Sequence, residues 1–191
     1  MDTKHLAKLL QGVTLPKPSS GNQRAYADML EELACDMART EYPDNYQKAR
    51  SVRSPEDFTL TDGKQINYID VKTRQLGTDF NMPNLISVDR LDKLLHLQDT
   101  ELYYWLIDYR VADNGDCVVE HSEIRAVWSL PWTALAIQNL GKGQLQICKW
   151  EKLADHATDK TAWHNHLRGE RRRFYLKQAS KFQRMADAIK L

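Results

Sequence analysis

Apolar residues recur at helical spacing through the first forty positions and at strand spacing through much of the next hundred. Leu6, Leu9 and Leu10 fall on one side of a helix over Asp2–Gln11. The run Pro16-Lys17-Pro18-Ser19-Ser20-Gly21 is a loop. A stronger helix follows over Asn22–Thr40, with Tyr26, Met29, Leu30, Leu33 and Met37 as its apolar face and Pro43 closing it. From Asp57 the period shortens to two, and Asp62-Gly63 reads as a tight turn between two strands. The pattern lapses from Arg74 to Asn84, about ten residues, a loop length that inside a compact domain usually marks function.

Ser87 caps a further helix through Leu97. Glu101–Arg110 is an aromatic-rich strand, turned by Asn114-Gly115 into a second strand at Cys117–Glu120. Ser129 and Pro131 predict a helix running to Leu140. Gly141-Lys142-Gly143 then leads into a strand over Gln144–Lys149. From Lys160 a long helix begins, with Gly169 as its candidate break and Phe174, Leu176, Phe182 and Met185 as its apolar contacts.

The chemistry concentrates in the first hairpin. The Asp62-Gly63 turn pairs Thr61 with Lys64 and, four steps on, Asp57 with Tyr68. Paired residues share a face and neighbours alternate, so Asp57, Tyr68, Asp70 and Lys72 project together. Glu56 falls with Phe58, Leu60, Ile69 and Val71 on the apolar side. Asp57 and Asp70 then sit on the ladder diagonal, roughly 7–8 Å apart at the backbone, and both can reach one cation. A hard ion such as Mg²⁺ takes carboxylate oxygens and keeps several waters. Beside a phosphate it stabilises growing negative charge and acidifies a bound water. Lys72, on the same face, can hold that water and neutralise the reacting phosphorus centre. Two carboxylates and a lysine are the minimum equipment for metal-dependent cutting of a phosphodiester.

Pro55-Glu56-Asp57 followed by Asp70-Val71-Lys72 resembles the PD-(D/E)xK nuclease pattern, with a Glu inserted between the Pro and the Asp. The longer run Asp70-Val71-Lys72-Thr73-Arg74 and then Pro83-Asn84-Leu85-Ile86-Ser87 is similar to the HincII type II restriction endonucleases of that superfamily, over roughly residues 50–190. The resemblance implies a restriction-endonuclease-like α/β fold: one domain, with a mixed sheet of about five strands flanked by helices. Within residues 1–191 it would comprise an N-terminal helical part (1–50), a catalytic sheet core (52–150) and a basic C-terminal helix (158–191). It implies Asp57, Asp70 and the Val71 carbonyl as ligands of Mg²⁺, with Mn²⁺ as substitute, and Lys72 as the catalytic lysine. Thr73, Arg74 and Asn81 become candidate DNA contacts. Asn81 stands where the relative carries a longer amide. Some members add a Glu from an early helix, but neither Glu31 nor Glu32 lies near the apolar stripe of its helix, and neither is assigned.

Composition narrows the classes. With 42% hydrophobic and 28% charged residues the chain is that of a soluble globular domain. No apolar run approaches eighteen residues and no signal-peptide pattern appears, which predicts a cytoplasmic protein without membrane contact. Cys35, Cys117 and Cys148 form neither a disulfide framework nor a C-x-x-C metal spacing. Net charge is only +1, yet residues 160–191 hold nine Lys/Arg against two Asp/Glu, leaving eighteen against twenty-four elsewhere. Such segregation suits phosphate binding. Arg171, Arg172 and Arg173 are candidate phosphate contacts. Gln138, Asn139 and Lys142 are candidates near the strand at Gln144–Lys149, where Gln144 and Gln146 would offer amides to base edges.

The reading that follows is a Mg²⁺-dependent, sequence-specific endonuclease of double-stranded DNA, a type II restriction enzyme leaving 5′-phosphate and 3′-hydroxyl ends. It would act as a homodimer with a cognate DNA methyltransferase as its counterpart. The alternatives are a repair or recombination nuclease of the same superfamily, such as a junction resolvase or nicking enzyme, and a non-catalytic nucleic-acid-binding protein.

Overall fold

The computed structural model describes residues 2–189 apart from 21, 52, 53, 79–82, 141, 142 and 158. Among the described residues four helices, α1 (Thr3–Leu10), α2 (Gln23–Glu41), α3 (Val88–Leu95) and α4 (Lys160–Asp187), accompany nine strands. The strands are β1 (Thr14–Leu15), β2 (Tyr46–Lys48), β3 (Phe58–Asp62), β4 (Gln65–Gln75), β5 (Asn84–Ser87), β6 (Thr100–Val111), β7 (Cys117–Ala126), β8 (Leu135–Gln138) and β9 (Gln144–Ile147). The architecture is mixed α/β, as the pattern predicts. The chain divides into two compact units, Met1–Pro83 with Asp92–Val127 and Asn84–Leu91 with Trp128–Leu191. No helix among the described residues is long and apolar enough to cross a membrane.

The first unit is built on a six-stranded sheet in the order β1-β7-β6-β4-β3-β2, one strand more than expected, because the short edge strands β1 and β2 carry too few residues for a period to show. β4 and β6 run parallel, from Ile66 beside Thr100 to Gln75 beside Tyr109, and the other pairs are antiparallel. Parallel neighbours need a long crossover, here residues 76–99 with α3 inside it. One face of the sheet packs under α1 and α2: Leu6, Leu10, Tyr26, Leu30, Ala34 and Ala38 meet Phe58, Leu60, Ile69, Val71, Trp105, Ile107 and Tyr109. Each large side chain so buried contributes about 1.5–3 kcal/mol. Polar groups caught in this core are paired: the Trp105 indole N–H donates to Ser122 Oγ (2.8 Å) and the Tyr26 hydroxyl to the Gly115 carbonyl (2.7 Å).

Helix α2 is capped by Asn22, whose side chain accepts from the Ala25 N–H, and its buried residues are Tyr26, Leu30, Ala34 and Ala38. Of the expected face, Tyr26 and Leu30 are buried, while Met29, Leu33 and Met37 are partly buried against the same core. At 100° per residue the two alanines move the centre of the buried face by about 60°, towards Glu31.

The second unit holds a three-stranded antiparallel sheet, β5-β9-β8, and α4. The helix predicted from Ser129 to Leu140 is absent: a 3₁₀ turn covers Val127–Ser129, and β8 follows a single turn after Pro131. Leu135 and Ile137 lie opposite Ile147 and Leu145, so pairing with β9 overrides helix propensity in a run too short to bury a helical stripe. Gln146 is 5% exposed, not a surface amide as expected. Helix α4 is continuous through Gly169 and anchored by Trp163, Leu167 and Phe174. The Trp163 indole N–H donates to the Leu130 carbonyl (2.7 Å). Leu176, Phe182 and Met185, expected to be its apolar contacts, are exposed.

Candidate active site

The strands that carry the chemistry are fixed by their turn. Gly63 takes φ +61°, and Asp62 pairs with Gln65, so the two loop residues are Gly63 and Lys64. Gly at the first loop position is the type II′ preference, whose twist matches the flanking strands. The register runs Thr59 with Tyr68 and Phe58 with Ile69, two residues from the one the sequence suggests. A shift of two leaves every side chain on its face, because the strand period is two. Asp57 lies one residue before the paired part of β3: its N–H donates to the Ile69 carbonyl (2.9 Å), and its Oδ2 accepts the Val71 N–H (2.7 Å), which ties it to the backbone on both sides of Asp70. β4 is thereby tied to Asp57 through both backbone and carboxylate. Glu56 is half-buried, and burial is the main cause that raises its carboxyl.

Lys72 completes the group. Its Nζ donates to Asp70 Oδ1 (2.5 Å) and to the Val71 carbonyl (3.3 Å). Asp70 is only 5% exposed. Burial pushes its carboxyl up to about 8; Lys72 pulls it back down, and the Asp57 charge adds to the rise. Two carboxyl groups and the Lys72 ammonium therefore meet at one corner, and burial is the main reason that the Asp70 carboxyl stays raised there. On β6, Tyr104 stands beside Asp70 in the parallel register. Its hydroxyl is buried, without a hydrogen-bond partner among the described residues, and held well above the ordinary phenol range by burial and then by Asp70.

Glu31 is the residue that sequence reasoning passed over. Its carboxyl on α2 is raised by burial first and by Asp57 second, with Lys72 opposing, so it lies within electrostatic reach of the pair. The signal was the alanine positions 34 and 38, which set the true buried face of α2.

This group could hold a hard divalent cation. Its donors are all oxygen, and an ion that keeps most of its waters needs only one or two carboxylates. Among the described residues no three His, Cys, Asp or Glu side chains are assembled around one point, so the side-chain donors are Asp57 and Asp70. The all-oxygen donor pair and the Tyr104 hydroxyl beside Asp70, buried without a hydrogen-bond partner among the described residues, fit a hydrated cation there.

The remaining candidates scatter. Arg74 is a strand residue of β4, not part of a loop. It is paired in a fork with the Asp108 carboxylate through Nε (2.7 Å) and Nη2. Thr73 alternates onto the Val71 side of the strand. Arg171 pairs with Asp89 (2.8 Å) and Arg173 with Glu170 (2.5 Å), while Arg172 is exposed. Three consecutive residues of a helix point in three directions, so they form no single patch. Gln138 ends β8 and Asn139 follows it, exposed. Asn81 and Lys142 lie outside the described residues.

No family model matches the chain, and no curated protein does. Among solved structures it is similar to the NlaIV restriction endonuclease, with 15% identity and a TM-score of 0.49 over 76% of this chain and 63% of that one. The match thus spans less than two thirds of that enzyme's length.

Proposed function

We propose that this chain is a Mg²⁺-dependent endonuclease of double-stranded DNA, with Asp57, Asp70 and Lys72 as its catalytic group. One observation carries the reading: a buried Asp70, bonded to Lys72 and followed by Val71, whose N–H holds the Asp57 carboxylate beside the pair. A solvated surface acid would be exposed, and Asp70 is not.

Asp57, Asp70 and the Val71 carbonyl would hold the ion. When bound, Mg²⁺ supplies charge neutralisation at the phosphate and acidification of a coordinated water. Asp70 must first give up the proton that burial holds on it, so binding is favoured as pH rises. Asp57 is kept in place by the Val71 N–H, which fixes one of its oxygens and leaves the other as the donor proposed for the ion. Lys72 Nζ orients the attacking water and offsets the negative charge that builds on the phosphate oxygens. The products would be a 5′-phosphate and a 3′-hydroxyl. A homodimer, each subunit cutting one strand, is the assembly proposed with this chemistry; exposed Phe182 and Met185 on α4 offer a self-association surface.

Incubation of supercoiled plasmid with the protein and Mg²⁺, followed by sequencing of the ends, tests the reading. Discrete linear bands with a common end sequence mean a restriction enzyme. Nicked circles without linear bands mean the repair or recombination alternative, and absence of hydrolysis rejects the nuclease.

A further inference from the structure

Helix α4 carries a second binding surface within the second unit. Arg173, Lys177, Lys181 and Arg184 recur at spacings of four, four and three, which sets them in one row on the helix. All four line a groove of about 510 Å³ whose opposite wall is β8, from Leu135 to Gln138, and then Asn139. The row is about 16 Å long at 1.5 Å per residue. Arg173 is paired with Glu170, but Lys177, Lys181 and Arg184 have no carboxylate partner among the described residues. β8 is the edge strand of its sheet; Gln138 Nε2 donates to Cys148 Sγ (3.6 Å), and Asn139, exposed, brings an amide to the groove wall.

We infer that this groove seats the phosphate backbone of duplex DNA. The inference rests on the nuclease reading only in choosing DNA over other polyanions; the cation row and the amide wall stand independently of the catalytic corner. Single-strand binders combine a positive groove with aromatic faces on which bases stack. Here the aromatic rings are already used. Trp132 packs against Trp163 (5.2 Å) and stacks on His166 (4.7 Å). Phe174 is 9% exposed and lies so close to Gly143 that a Cβ added there would meet its ring at 2.9 Å. A row of cations along a groove whose lining rings, Trp132 and Phe174, are already packed suits a backbone that keeps its bases paired.

The test is fluorescence anisotropy with a labelled 20-base-pair duplex of arbitrary sequence, in EDTA so that nothing is cut, across a salt series. The variant Lys177→Ala/Lys181→Ala/Arg184→Ala removes only exposed side chains; its circular dichroism and melting should match the parent. Loss of three phosphate contacts should make the slope of log K against log salt shallower by about 2.7, with at least about a tenfold loss of affinity at moderate salt. Lys4→Ala/Lys8→Ala/Lys64→Ala, which removes equal charge from exposed sites elsewhere, should keep the parent slope. An unchanged slope in the groove variant, an equal loss in the control, or single-stranded DNA bound as tightly as duplex would each overturn the inference. A protein that binds in this way but never cleaves would fail the catalytic reading alone.

Discussion

Replacing Asp70 by Asn should make the metal-free protein more stable while abolishing its activity. The substitution removes the buried charge but keeps the side-chain volume and an oxygen for Lys72 Nζ. Burial moves the folded-state carboxyl from an ordinary 3.8 to about 8, with the Lys72 attraction already included. At about 1.4 kcal/mol for each pH unit between the two values, the rise sets a ceiling of about 6 kcal/mol. Relaxation and water entry in real proteins reduce this, so about 1–3 kcal/mol is expected. The sign follows from linkage. Below pH 4 both folded and unfolded chains are protonated and the group contributes nothing. Between pH 4 and 8 the unfolded chain ionises while the folded one resists, so the wild type loses stability as pH rises and the Asn variant does not. Urea denaturation in EDTA at pH 5 and pH 8 measures this, and the Asn advantage should be larger at pH 8. Adding Mg²⁺ to a hundred times its dissociation constant should restore about 2.7 kcal/mol to the wild type and nothing to the variant. A variant less stable than wild type at pH 8 in EDTA would show that Asp70 is an ionised, stabilising partner of Lys72, and the reasoning would fall.

Lys72→Met should slow cleavage at least about a hundredfold while leaving duplex binding in EDTA intact, since it removes a charge stabiliser and not a phosphate row; single-turnover rates on plasmid would show it. Arg74→Ala should destabilise the fold by about 3–5 kcal/mol, because it strands the mostly buried Asp108 carboxylate without its partner. Combining it with Asp108→Leu should recover most of that loss, and a cost below 1 kcal/mol for Arg74→Ala alone would mean the pair is well solvated. Glu31→Gln should weaken the Mg²⁺ midpoint of cleavage at least about tenfold without lowering the melting temperature, as expected for a charge acting on the ligands from outside the coordination shell. An unchanged midpoint would confine Glu31 to the flank of α2.

Much of the first unit was legible because strand chemistry tolerates the errors sequence reading makes. Reading Asp62-Gly63 as the loop shifted the hairpin by two residues, yet Asp57 and Asp70 still emerged on one face. An error of one would have sent Asp57 to the opposite face from Asp70. Helices are less forgiving: weighting Met29, Leu33 and Met37 above Ala34 and Ala38 rotated α2 and took Glu31 out of view. The run after Pro131 was misread because a few apolar residues cannot distinguish a strand from a turn of helix, and only β9 decides. Arg171, Arg172 and Arg173 drew attention as neighbours in sequence. On a helix the relevant neighbours are four apart, and that spacing, present at 173, 177, 181 and 184, was the readable signal of the groove. The pairing of Arg74 with Asp108 could not be read in advance, because it depends on the parallel register of β4 and β6.

The central claim is that Asp57, Asp70 and Lys72 together carry metal-dependent phosphodiester cleavage. Its most direct measurement is the rate of conversion of supercoiled plasmid by the wild type, Asp57→Asn, Asp70→Asn and Lys72→Met, each with Mg²⁺ and with EDTA. The expected result is cutting by the wild type with Mg²⁺ alone and rates at least about a hundredfold lower for every variant. Cutting by the wild type in EDTA, or near-normal cutting by Asp70→Asn with Mg²⁺, would contradict it.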